Sequence, residues 1–109
     1  VQLMFDTNEQ MADELTEIVF AEIEKIATEG PLAEDLEQTR EYENKNYAKT
    51  IEQNGWWSTT LSQFYEYNIN RVEEYLPAVN GVTSADVQAM AKKILSDGNL
   101  IKVVMRPEK

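Results

Sequence analysis

A chain of 109 residues with twenty Asp/Glu, ten Lys/Arg and neither histidine nor cysteine has the length of one domain with a moderate core. Without His and Cys it cannot form a disulfide, a catalytic triad, a Cys/His zinc centre or an H-x-x-E-H peptidase site from its own residues. Its net charge of −10 repels nucleic-acid phosphates and anionic lipid, so neither is expected as a partner.

The excess of acid is uneven. Residues 1–45 carry 13 Asp/Glu against 3 Lys/Arg, whereas residues 46–109 carry 7 of each. The acidic half reads as the solvated side of two helices. No apolar run approaches ~18 residues, so no membrane span is expected, and no basic-then-apolar signal segment opens the chain. The opening at Val1 falls inside what reads as a strand. The chain is therefore expected to be a piece of a longer protein or a trimmed form of one.

Taken in order, Val1, Leu3 and Phe5 alternate with Gln2 and Met4, which predicts a short strand with one buried face. Thr7 and Gln10 have capping-box spacing. A helix then runs to residue 29 on the rows Met11, Leu15, Ile18, Val19, Glu22 and Ile26, widened by Phe20 and Ile23. Gly30 and Pro31 end it and start the next. The second helix is expected over residues 32–53, striped by Leu32, Leu36, Tyr47 and Ile51 around a polar middle with Thr39, Tyr42 and Glu43, and broken at Asn54–Gly55.

The third helix carries "WWSTTLSQFYEYN". Trp57, Leu61, Phe64 and Asn68 share one face, which reads as core. Trp56, Thr60, Gln63 and Tyr67 share the neighbouring face, left over for another domain. A short fourth helix holds Val72, Tyr75 and Leu76 up to a turn at Asn80–Gly81. Thr83 and Asp86 have the spacing of a capping box, with Val82 and Val87 as a staple. The fifth helix has the stripe Val87, Met90, Ile94 and Leu95. Residues 100–106 read as a closing strand ended by Pro107. The expected fold class is α+β. Four to five helices form a layer on a small sheet of the two terminal strands, within a single domain over residues 1–109.

Catalytic candidates are few. Glu14 with Glu17, and Glu34 with Asp35, lie on charge-rich helix faces and not in a cleft with separated environments. Gly30, Gly55, Gly81 and Gly98 each stand alone at turns, so no phosphate-cradling loop is present. No D-x-D-x-D-G calcium loop occurs, and the aromatic helix lacks the positive charge of a base-stacking platform. No catalytic residue and no metal ligand is assigned.

The segments "EGPLAEDLEQTR", "WWSTTLSQFYEYN", "EEYLPAVNGVTSADVQAMAKKIL" and "LIKVVMRPE" together resemble the pitrilysin/insulinase family of zinc peptidases. Glu34, Asp35, Leu36 and Arg40 follow its glycine turn. Tyr75, Leu76, Val82, Thr83, Asp86, Val87, Ala91 and Leu95 follow its "Y-L-x-x-I-x-x-V-T-x-x-D-V-x-x-x-A-x-x-Y-L" segment. The resemblance covers essentially the whole chain. Its most specific part, "VTSADVQAMAKKIL", is a helix-entry pattern that encodes no chemistry.

It implies the C-terminal part of a non-catalytic half of a mitochondrial processing peptidase-like protein, which helps enclose peptide substrate. Zinc is expected in the catalytic half and no cofactor here. The arginine and tyrosine that some relatives supply to substrate would fall upstream of Val1, and neither is carried over. Trp56 and Tyr67 are the expected contacts to a neighbouring domain or to the chamber. Expected partners are the remaining domains of the parent, its peptide substrate, and a second copy paired through an open strand edge. A periplasmic location follows if the parent is bacterial. Two other readings stand beside this one: a structural pairing subunit of the same family, and an acidic module that binds a basic partner through residues 6–43.

Overall fold

A computed structural model describes residues 1–106 and contains five α-helices among them: α1 Ala12–Glu29, α2 Ala33–Thr50, α3 Asn54–Tyr67, α4 Arg71–Gly81 and α5 Ser84–Ser96. The expected sheet is absent. Residues 1–5 alternate as read and residues 100–106 form the apolar run read as a closing strand, yet no strand forms among the described residues. The fold class is corrected from α+β to all-helical. Alternation makes an edge with one apolar face, but a strand exists only by pairing, and two strands alone are marginal in water. Both segments instead remain exposed along their whole length. Without a strand there is no strand edge, so the expected self-pairing of two copies through one loses its basis. The predicted stop at Pro107 lies outside the described residues.

The chain divides into two units, Leu32–Ser84 and the pair of segments Val1–Pro31 with Ala85–Lys109. In the terminal unit, α1 begins one turn later than its spacing suggests. The Thr7–Gln10 box is not used. Asn8 Oδ1 accepts the N–H of Met11 at 2.9 Å instead, and Met11 precedes the first helical residue with no side-chain cap. The inward face of α1 is Ala12, Leu15, Thr16, Val19, Phe20, Ile23, Ile26 and Ala27. Met11 and Ile18, assigned to the stripe, are exposed.

α1 ends at Gly30, whose φ of 82° suits a residue without Cβ. The carbonyls of its last turn lack helical donors. Gln88 on α5 supplies them, donating from Nε2 to Thr28 O at 2.9 Å and Ala27 O at 3.2 Å. On α5 the inward positions are Val87, Gln88 and Ala91, while Met90, Ile94 and Leu95 face outward. Lys102 and Arg106 reach back to Asp13 near the start of α1 at 3.5 and 3.4 Å. Both pairs are well exposed and contribute little.

In the central unit, α2 stops at Thr50 and not at residue 53. The corner is fixed by Trp57, whose indole N–H donates to Ile51 O at 2.7 Å, and by the backbone bond from Gln53 N to Thr50 O at 3.0 Å. Asn54–Gly55 thus opens α3 and does not break α2. α3 ends on Asn68, left-handed at φ 56°, a conformation asparagine tolerates better than most. Asn80 and Gly81 close α4 as its last turn, with Pro77 inside the helix.

Candidate functional site

The inward face of α2 is mostly polar: Leu36, Arg40, Glu43, Asn44, Tyr47 and Thr50. That polarity is answered along α4. Arg40 Nη2 donates to Val82 O at 2.8 Å, and its Nη1 pairs with Glu37. Asn44 and Asn80 exchange amide bonds, Nδ2 to Oδ1 at 2.9 Å and 3.2 Å in the two directions. Tyr75 donates its hydroxyl to Glu43 Oε2 at 2.7 Å. The Tyr75–Glu43 bond is part-buried and the others lie at exposed positions, and as a ladder they favour one register of α2 against α4.

The ladder ends in an aromatic cluster. The Tyr47 and Tyr75 rings stack at 5.4 Å and 15°. Trp56 meets Tyr47 edge-on at 5.7 Å and 86°, and Trp57 meets Trp56 at 4.8 Å and 87°. The Arg71 guanidinium lies over the Tyr75 ring, 5.4 Å from its centroid, a favourable cation–π placement. Beside these rings is a hollow of about 150 Å³ lined by Asn46, Tyr47, Thr50, Trp56, Arg71 and Tyr75. It falls below the ~300–1,000 Å³ of drug-sized ligand pockets. The Tyr75 phenol is held above its ordinary value of 10.0, first by its hydrogen bond to Glu43, then by partial burial and the Glu43 charge, with Arg71 opposing.

The two faces of α3 are the reverse of the sequence reading. Thr60 is 3% exposed, and Trp56 and Gln63 are half-buried. Trp57 and Phe64, read as core, are 42% and 43% exposed, and Leu61 is exposed too. Both faces carry helical spacing, and spacing alone does not say which one turns inward. The stack on Tyr47 draws Trp56 in, while Trp57 spends its N–H on the corner at Ile51. Trp56 and Tyr67, expected at an interface, are not brought together. Eleven residues of one helix separate them by about 16 Å of axial rise, and Tyr67 is 68% exposed at the end of α3. Arg71 and Tyr75 were missed as site residues. Their i, i+4 spacing on one helix was the available signal.

Glu14, Glu17, Glu34 and Asp35 are exposed, and no group of three or more acidic side chains among the described residues converges as a metal site. Residues 6–43 are divided between the two units. No helix among the described residues is long and apolar enough to cross a membrane. No known protein family, curated protein or solved structure matches the chain.

Proposed function

We propose that this chain is a non-catalytic, protein-binding helical segment of a zinc peptidase of the pitrilysin/insulinase kind, working beside a zinc site carried elsewhere. The observation behind the binding role is the outward row Trp57, Leu61 and Phe64 on α3, a helix of fourteen residues whose one charged side chain is Glu66. Loss of charge with enrichment in aromatics marks the centre of an interface more than bulk hydrophobicity does.

The surface area points the same way. The chain exposes 9095 Å², against ~6,200 Å² for a folded monomer of 12.5 kDa and ~7,400 Å² for two separate units of half that mass. The excess comes partly from the exposed terminal segments and partly from exposed apolar rows such as Trp57, Leu61 and Phe64. The peptidase assignment rests on the segment resemblance, with "VTSADVQAMAKKIL" as its most specific part.

The gene tests the assignment. An H-x-x-E-H segment in the same reading frame supports the peptidase half. One in a neighbouring, co-expressed frame supports the pairing subunit. Its absence from both, or a purified protein that contains no zinc, overturns the reading. In the purified peptidase, Leu61→Asp with Phe64→Asp should lower peptide hydrolysis while zinc content is retained. Unchanged hydrolysis would remove α3 from the interface.

A further inference from the structure

Two cations in the described chain are half-buried, Arg40 and Arg71. Arg40 has an ion pair with Glu37 and a bond to the Val82 carbonyl through its two terminal nitrogens, although its buried Nε has no partner among the described residues. Arg71 is not treated alike. In a chain with twice as many acidic as basic residues, no carboxylate among the described residues lies within ion-pair distance of it. Its guanidinium rests on the Tyr75 ring at the edge of the hollow. Glu43, the acid nearest in role, is engaged by the Tyr75 hydroxyl at 2.7 Å.

The rest of the lining matches that cation. Asn46 brings an amide. Thr50 donates its hydroxyl to Asn46 O at 2.8 Å, and Tyr47 directs its own toward Val72 O at 3.5 Å. Trp56, Tyr47 and Tyr75 provide apolar ring surface. No acid lines the hollow. A flat apolar group fits by size, since a cavity near 150 Å³ holds a benzene ring.

We propose that this hollow binds a carboxylate joined to an aromatic group of single-side-chain size, with Arg71 receiving the carboxylate and the Trp56 and Tyr47 rings covering the apolar part. Guanidinium meets carboxylate through two parallel N–H···O bonds, and lysine cannot reproduce that fork. The chemistry has two sources, a free aromatic acid and the C-terminal carboxylate of a peptide ending in phenylalanine. The site stands on α2, α3 and α4 alone and does not depend on the peptidase reading.

The test is titration of the 109-residue chain with N-acetylphenylalanine, its amide, and a pentapeptide ending in Phe. Readouts are calorimetry and the Arg71 Nε–Hε resonance. The acid should bind saturably, with a dissociation constant on the order of 1 mM, and shift that resonance. The amide should bind at least ~10-fold more weakly, as should the acid to Arg71→Lys. Tighter binding of the pentapeptide assigns the site to chain ends, and equal binding assigns it to free acids. Equal affinity for acid and amide overturns the proposal. So does an unmoved Arg71 resonance in the unsubstituted chain, a reading that requires no variant to fold.

Discussion

At the scale of single residues the clearest anomaly is Thr60. It is 3% exposed, and its hydroxyl finds no hydrogen-bond partner among the described residues. An unsatisfied buried hydroxyl costs about 1–3 kcal/mol, while valine occupies nearly the same volume without it. Thr60→Val should therefore raise stability by roughly 1 kcal/mol in urea unfolding, and a loss of that size would mean the hydroxyl has a partner. Tyr75 offers a pH test. Its raised folded value means its contribution is full below pH 10.0 and is lost as the pH climbs through that higher value. Tyr75→Phe should flatten this part of the alkaline decline. Identical alkaline slopes in the two proteins would show that the bond to Glu43 does not survive in solution.

Among the helices, α4 carries an internal conflict. Pro77 is its seventh residue of eleven, lacks an N–H for the carbonyl one turn earlier, and crowds it. The helix persists because the Asn44–Asn80 exchange and the Tyr75–Glu43 bond fasten both sides of the proline to α2. Pro77→Ala should stabilise the chain by about 1–3 kcal/mol. A neutral or negative result would show that the ring is needed for packing. On α3 the reversed faces set an order of costs. Trp56→Ala should remove roughly 1–3 kcal/mol, a share of the full loss for a buried Trp. Phe64→Ser should stay within about 0.5 kcal/mol, as for exposed positions generally. Equal losses at the two sites in thermal melts would restore Phe64 to the core.

On the scale of the whole molecule, the buried apolar side chains among the described residues are alanines, Ala12, Ala27 and Ala91. Among the described residues the large apolar side chains are partly covered or exposed, and none is fully enclosed. A chain with so little closed core should bind the dye ANS strongly and unfold over a broad temperature range. Replacing Leu61 and Phe64 with lysine should reduce the dye signal with little change in helix content by circular dichroism. An undiminished signal would locate the exposed apolar surface on other helices.

The five helices were legible because their signals are local. Gly30–Pro31 punctuates α1 and α2, Asn68 can take the left-handed turn that ends α3, and Thr83 precedes the start of α5. Helix existence depends on residues three or four apart, which a sequence displays directly. The lack of His and Cys likewise removed a Cys/His zinc centre and an H-x-x-E-H site from these residues. What the tertiary structure decided was orientation and pairing. Trp56 and Trp57 occupy adjacent rows of one helix, the Trp57 row being the more apolar, and the meeting of Tyr47 with Trp56 turns the more polar row inward. Around the same meeting, Asn46 and Thr50 of α2, Trp56 of α3 and Arg71 of α4 line one hollow. The terminal segments show the opposite limit. The alternation of residues 1–5 and the apolar run of residues 100–106 predict strands, but a strand is a property of two segments, and the pattern of one does not contain its partner.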